Sequence, residues 1–189
     1  MNNIHLTQEE IDKIVKSTSV RYASHVSLRE YLQRDKDILH HKVHEENFYD
    51  EDTTGRLKQK LTEIEINLDI MNGSNPKNIA ETYNISYTEL KERYKNALKR
   101  DPKKTRVAKN LEGLLIDILH EPKEAITFFR ELSGMIQSEY SDLCRSVGDH
   151  AGDPDPEIGL YRTIAYNLES KLEKQEFENW KKQRGKTNY

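Results

Sequence analysis

Residues 61–100 read LTEIEINLDIMNGSNPKNIAETYNISYTELKERYKNALKR, and this stretch decides the fold. Leu61-Thr62-x-x-Glu65-Ile66 has the form of a capping box with a hydrophobic staple. In that motif the Thr hydroxyl accepts from the Glu amide, the carboxylate reaches back, and the two apolar residues pack together. It predicts a helix beginning at Thr62 and ending near Gly73, where positive φ carries no Cβ penalty. Asn75-Pro76 restarts the chain, with Asn75 as N-cap and Pro76 at the first helical position. A short helix over 76–83 follows. Asn84 stands where a tight turn wants a left-handed residue. Ile85-Ser86-x-x-Glu89-Leu90 repeats the capping code and launches a third helix. That helix stops at Asp101-Pro102, because the residue before proline avoids helical dihedrals.

The apolar positions agree with this reading. Ile66, Ile70, Ile79, Ala80, Tyr83, Ile85, Leu90, Tyr94, Ala97 and Leu98 are expected to share one core. The result is a tri-helical helix-turn-helix unit, whose third helix suits the DNA major groove. That helix is expected to expose Tyr87, Thr88, Lys91, Glu92, Lys95 and Lys99. Thr88 and Lys91 are the candidates for base edges; Arg93, Lys95, Lys99 and Arg100 are the candidates for phosphates. Ser86, Tyr87 and Glu92 complete the expected DNA-binding set at the groove, with Lys103 and Lys104 beyond the helix. From Lys91 to Lys109 there are nine Lys or Arg against two acids, a cluster that would make binding salt-sensitive.

These residues resemble the fourth conserved region of bacterial sigma factors and, more loosely, the DNA-binding helices of response regulators. The matching parts are Leu61-Thr62-Glu63, Ile79-Ala80-Glu81, Ile85-Ser86, and Arg93 followed by Ala97-Leu98-Lys99-Arg100. The resemblance covers about a fifth of the chain. It implies that the third helix reads a promoter hexamer and that the preceding helices lean on RNA polymerase. Two positions depart from the family pattern: its turn glycine is Asn84 here, and its small residues early in the third helix are Tyr87 and Glu89. No counterpart of the family's second region is found.

Composition points to small helical modules. Only 34% of the 189 residues are hydrophobic and 33% are charged. The net charge of −3 is unevenly spread: residues 60–109 carry +4, residues 110–160 carry −8 and residues 161–189 carry +3. A basic middle beside an acidic belt suits a protein that holds nucleic acid on one face. Cys144 is the only cysteine, so no intrachain disulfide can form and a reducing cytoplasm is the expected location. The N-terminus opens polar, without a secretory pattern, and no apolar run reaches membrane-spanning length.

The remaining segments also read as helices, making the chain all-α. Leu6-Thr7-x-x-Glu10-Ile11 starts the first. A second covers 27–44, with Leu28, Tyr31, Leu32, Ile38 and Leu39 inward. Residues 47–55 (NFYDEDTTG) read as a polar boundary. Past Pro102, a helix over 105–120 and another over 122–147 are joined tightly enough to form an antiparallel hairpin. After the loop 148–156 (GDHAGDPDP), a long helix runs from Pro156 to about Arg184. It is expected to dock on residues 105–147 or to pair with another copy. The expected division is an N-terminal helical segment (1–50), a DNA-binding domain (56–104) and a C-terminal interaction or oligomerisation domain (105–189).

Candidate chemistry is thin. His40 and His44 share a helix face at a workable zinc spacing, but His41, Glu45 and Glu46 announce no further ligand set. Asp149, His150, Asp153 and Asp155 fit no calcium loop and serve turns and caps. Tyr22, Tyr31, Tyr49, Tyr83, Tyr87 and Tyr94 include possible base-stacking rings, although helix-spaced aromatics are more often core. No phosphate-cradling glycine loop or nucleophile–base pattern is present, so no enzyme, cofactor or metal is expected. The function expected is transcription control on double-stranded DNA, with RNA polymerase as protein partner and self-assembly through residues 105–184. A short Lys- and Asn-rich chain fits a phage or mobile element. The alternatives are a small terminase-type packaging subunit, or a protein-binding regulator that never touches DNA.

Overall fold

The computed structural model describes residues 4–15, 27–44, 48–147 and 152–185. Among them the chain is all-α. Its elements are α1 (Gln8–Ile14), α2 (Leu28–His44), α3 (Glu51–Met71), α4 (Pro76–Tyr83), α5 (Tyr87–Arg100), α6 (Thr105–Gly113), a π-helical segment (Leu114–Ile118), α7 (Pro122–Val147) and α8 (Pro156–Gly185). The one β feature among the described residues is an isolated parallel bridge between Ile4 and Tyr49. The chain divides into two compact units, residues 1–110 and 111–189. Tyr22, Glu45, Glu46, Asn47, Asp149 and His150, named above, lie outside the described residues.

In the first unit, local codes set the helix starts. Thr7 caps α1 through a full capping box: its Oγ1 accepts from the Glu10 amide at 3.3 Å, and Glu10 Oε2 accepts from the Thr7 amide at 2.7 Å. Ser27 and Glu30 make the same reciprocal pair at α2. α2 packs along α3 and buries Leu28, Leu32, Leu39 and Val43; Tyr31 and Ile38 are only half-buried, while Asp35 is fully buried.

α3 corrects the sequence reading. It starts at Glu51, ten residues before the expected box, with Asp50 as N-cap: the carboxylate accepts from the Thr53 amide at 2.7 Å. Glu51 and Asp52 add acids to the first turn, where the helix dipole favours them. Thr62 is therefore interior. Its hydroxyl donates to the Lys58 carbonyl at 3.1 Å instead of capping. The polar stretch read as a boundary is thus helical from Glu51 onward.

The end of α3 follows expectation. Gly73 has φ +73°, its amide donates to Ile70 O, and the Ser74 amide donates to Asp69 O. These are the two bonds of a Schellman motif.

The expected helix over 105–120 stays α only to Gly113, its last residues lying in the second unit. It then widens into the π segment, where the Leu119 amide donates to Leu114 O at 3.0 Å. His120 at φ +56° ends it, and Pro122 opens α7 as predicted. α7 packs against the π segment, but its extensive pairing is with α8. Phe129 and Tyr161 stack at 5.7 Å, and the buried Ser133 hydroxyl donates to Ile158 O at 2.9 Å. Arg130 with Glu169, and Lys123 with Glu176 at 3.9 Å, bridge the two helices and set them antiparallel.

Candidate nucleic-acid interface

α3, α4 and α5 pack on one another within the first unit. Asn75 Oδ1 accepts from the Lys77 amide at 2.9 Å and Pro76 occupies the first turn of α4. Asn84 closes α4 in the left-handed region at φ 51°, ψ 48°. Ser86 Oγ then accepts from the Glu89 amide at 3.1 Å and starts α5. Ile79, Leu90, Tyr94 and Leu98 are buried beneath these helices; Ala80, Tyr83 and Ile85 are half-buried. The Tyr83 hydroxyl donates to Asp69 Oδ2 at 2.9 Å and ties α4 to α3. Burial, then that carboxylate, push the Tyr83 phenol above its ordinary range.

Thr88, Glu92, Lys95 and Lys99 recur at i, i+4, i+7 and i+11, so they form one stripe along α5. Thr88, Glu92 and Lys99 are exposed, as are Ser86 before the helix and Lys103 after it. Lys95 is half-buried, with Nζ 3.1 Å from Glu92 Oε1. Tyr87 and Lys104 are also half-buried, and Lys104 lies 3.8 Å from Asp101. Arg93 donates through Nη2 to Glu89 Oε1 at 2.8 Å. Arg93 and Arg100 line a groove between α5 and the α2–α3 pair, together with Leu28, Leu32, Asn67 and Met71. Burial lowers the Arg100 guanidinium from its ordinary value.

Lys91 departs from expectation. It is 7% exposed, not outward. It lies three residues before Tyr94 and seven before Leu98, so it shares their side of α5. That spacing is visible in the sequence; the lysine's charge drew it wrongly to the outer stripe.

Two further cations of the 91–109 cluster fall outside α5. Arg106 and Lys109 are exposed on α6. Arg106 lies against Gly73, where an added Cβ would stand 2.5 Å from its Cδ. After Glu92, the exposed cations of this unit in chain order are Lys99, Lys103, Arg106 and Lys109.

The tyrosines divide in favour of packing. Tyr94 is fully buried, while Tyr31, Tyr49, Tyr83 and Tyr87 are half-buried. His40 and His44 are exposed, with Nε2 atoms 3.1 Å apart. His5, Asp50 and Asp52 form a second group with ligand atoms within 4.8 Å of one another, invisible in the sequence because 45 residues separate His5 from Asp50. That group has structural work. Asp50 caps α3 and contacts His5 Nδ1 at 2.6 Å, while Asp52 pairs with Arg56 at 2.8 Å. Thr53, first, and then His5 hold the Asp50 carboxyl down at about 2.

No helix among the described residues is long and apolar enough to cross a membrane. No family model matches the chain, and no curated protein or solved structure matches it either.

Proposed function

We propose that the chain is a sequence-specific DNA-binding transcription protein, sigma-like or sigma-assisting, that docks α5 in a major groove. One observation carries this reading. A capped eight-residue helix, a left-handed Asn84 and a capped α5 pack on α3, and exposed Lys99, Lys103, Arg106 and Lys109 follow the exposed Thr88 and Glu92. In this reading Thr88 and Glu92 meet base edges and the cations meet phosphates. RNA polymerase is the proposed protein partner.

The test is selection from a random duplex pool at low salt, followed by titration. Lys99→Ala with Lys103→Ala is expected to weaken every sequence alike and reduce the salt slope by about 2. Thr88→Ala is expected to relax preference at one base position and leave the slope unchanged. Lys91 stays unsubstituted, since its burial makes it part of the fold. Failure to recover or bind any duplex overturns the proposal and leaves the protein-binding regulator.

A second reading, a small terminase-type packaging subunit, is favoured by the antiparallel α7–α8 hairpin that follows the α3–α5 unit. Native mass separates the two. A closed ring favours packaging; a monomer or dimer that copurifies with polymerase favours transcription.

A further inference from the structure

α8 buries one side against α7 through Ile158, Tyr161, Ala165 and Leu168. Away from that row, and beyond the start of α7, its exposed large residues are aromatic. Tyr166 is 68% exposed, Phe177 54% and Trp180 48%. Phe177 and Trp180 lie 11 and 14 residues past Tyr166, about three and four turns, so the three rings share a stripe. Phe177 lies nine residues past Leu168, about half a turn away from it. The Lys123–Glu176 bridge places the start of α7 beside Glu176, so the last turns of α8 run past it.

Two of the rings are already in contact. The Phe177 and Trp180 rings stack at 5.9 Å and 13°, and Lys181 Nζ sits 4.3 Å from the Phe177 centroid. A platform held in place loses little freedom on binding. Rings of this size bury 150–250 Å² each, so Phe177 and Trp180, the two beside the axis proposed below, offer roughly 200 Å² of exposed surface per copy. Two copies would cover about twice that, well under the roughly 1,200 Å² of a standard interface, so flanking side chains and charge pairs must supply the rest.

We propose that this face pairs antiparallel with the same face of a second copy, about a twofold axis at Phe177. The charges select the occupant and its direction. Glu173 lies four residues before Phe177 and Lys181 four after, on either side of the ring. A twofold there sets Glu173 against Lys181 of the second copy, twice over. A parallel pair would set Glu173 against Glu173 and Lys181 against Lys181. Glu173 has no ion-pair partner among the described residues. Lys181 donates to Glu178 at 3.0 Å, which leaves two of its three N–H groups for the second copy. The inference stands apart from the DNA reading.

The experiment uses the full chain, with sedimentation velocity across micromolar concentrations and far-UV circular dichroism as the fold control. Wild type is expected to dimerise. Glu173→Lys and Lys181→Glu are each expected to raise the dimer dissociation constant roughly tenfold or more, since each replaces two attractive pairs by two repulsive ones. Mixing the two single variants is expected to restore a heterodimer at wild-type strength, because every cross-pair is then opposite in sign. Phe177→Ala with Trp180→Ala is expected to abolish pairing at unchanged helicity. A wild type that stays monomeric at hundreds of micromolar overturns the proposal. So do a closed ring larger than a dimer, and single variants whose mixture fails to pair.

Discussion

Tyr94 is fully buried, yet its hydroxyl donates to the Ser74 carbonyl at 3.0 Å, where Asn110 Nδ2 also donates at 2.9 Å. One carbonyl just past α3 therefore anchors both α5 and α6. Tyr94→Phe is expected to cost about 1 kcal/mol, the net worth of one neutral hydrogen bond, because Asn110 keeps the carbonyl paired. Adding Asn110→Ala removes both donors and is expected to cost more than the sum of the singles, as read from a urea-denaturation double-mutant cycle. Asp50 gives a pH prediction. Thr53 and His5 hold its folded carboxyl at about 2, below its ordinary 3.8. A depressed folded value means stability that is present above the unfolded value and lost as pH falls toward the folded one. The margin of wild type over Asp50→Asn is expected to be constant above about pH 4 and to shrink toward pH 2, in urea midpoints measured across that window. A margin that grows as pH falls would refute the assignment.

Helix α3 shows which signals are legible at the level of the element. Starts at Thr7, Asn75-Pro76, Ser86 and Pro122, and stops at Gly73 and Asn84, were readable because each depends on a few neighbouring atoms. Thr62 misled because a Thr-x-x-Glu spacing also fits a helix interior, and packing along α2 carries α3 back to Asp50. The widening at Leu114 left no local mark, and Lys91 was misplaced by charge although its spacing set it beside Leu98. Two glycines of α3 and its end, Gly55 and Gly73, should respond oppositely to alanine. Gly55 sits in exposed α3 with nothing within 4 Å of an added Cβ, so Gly55→Ala is expected to stabilise by about 0.5–1 kcal/mol. Gly73 is left-handed with Arg106 across it, so Gly73→Ala is expected to destabilise by about 1–2 kcal/mol. Chemical denaturation of both variants checks the pair, and equal signs would contradict the backbone argument.

At the scale of the molecule, each compact unit has a core of its own. Leu32, Leu39, Leu57, Ile70, Leu90 and Tyr94 are fully buried in the first, and Leu115, Ala125, Phe129 and Tyr161 in the second. Separate cores imply separate cooperativity. Residues 1–113, which keep α6 whole, and residues 111–189 are each expected to unfold in a single sigmoidal thermal transition when expressed alone. Among its described residues the small second unit buries its aromatics with the α7–α8 hairpin, a π segment and the last turn of α6, so association should matter more to it. If its α8 face pairs with a second copy, association adds to its stability by mass action. The midpoint of the 111–189 fragment is then expected to rise with protein concentration, while that of 1–113 stays fixed. Glu173→Lys is expected to remove the dependence and leave a cooperative transition at the low-concentration midpoint. A concentration-independent midpoint in the unsubstituted fragment would mean that the hairpin needs no second copy, and a broad, gradual melt would mean that the second core does not stand alone.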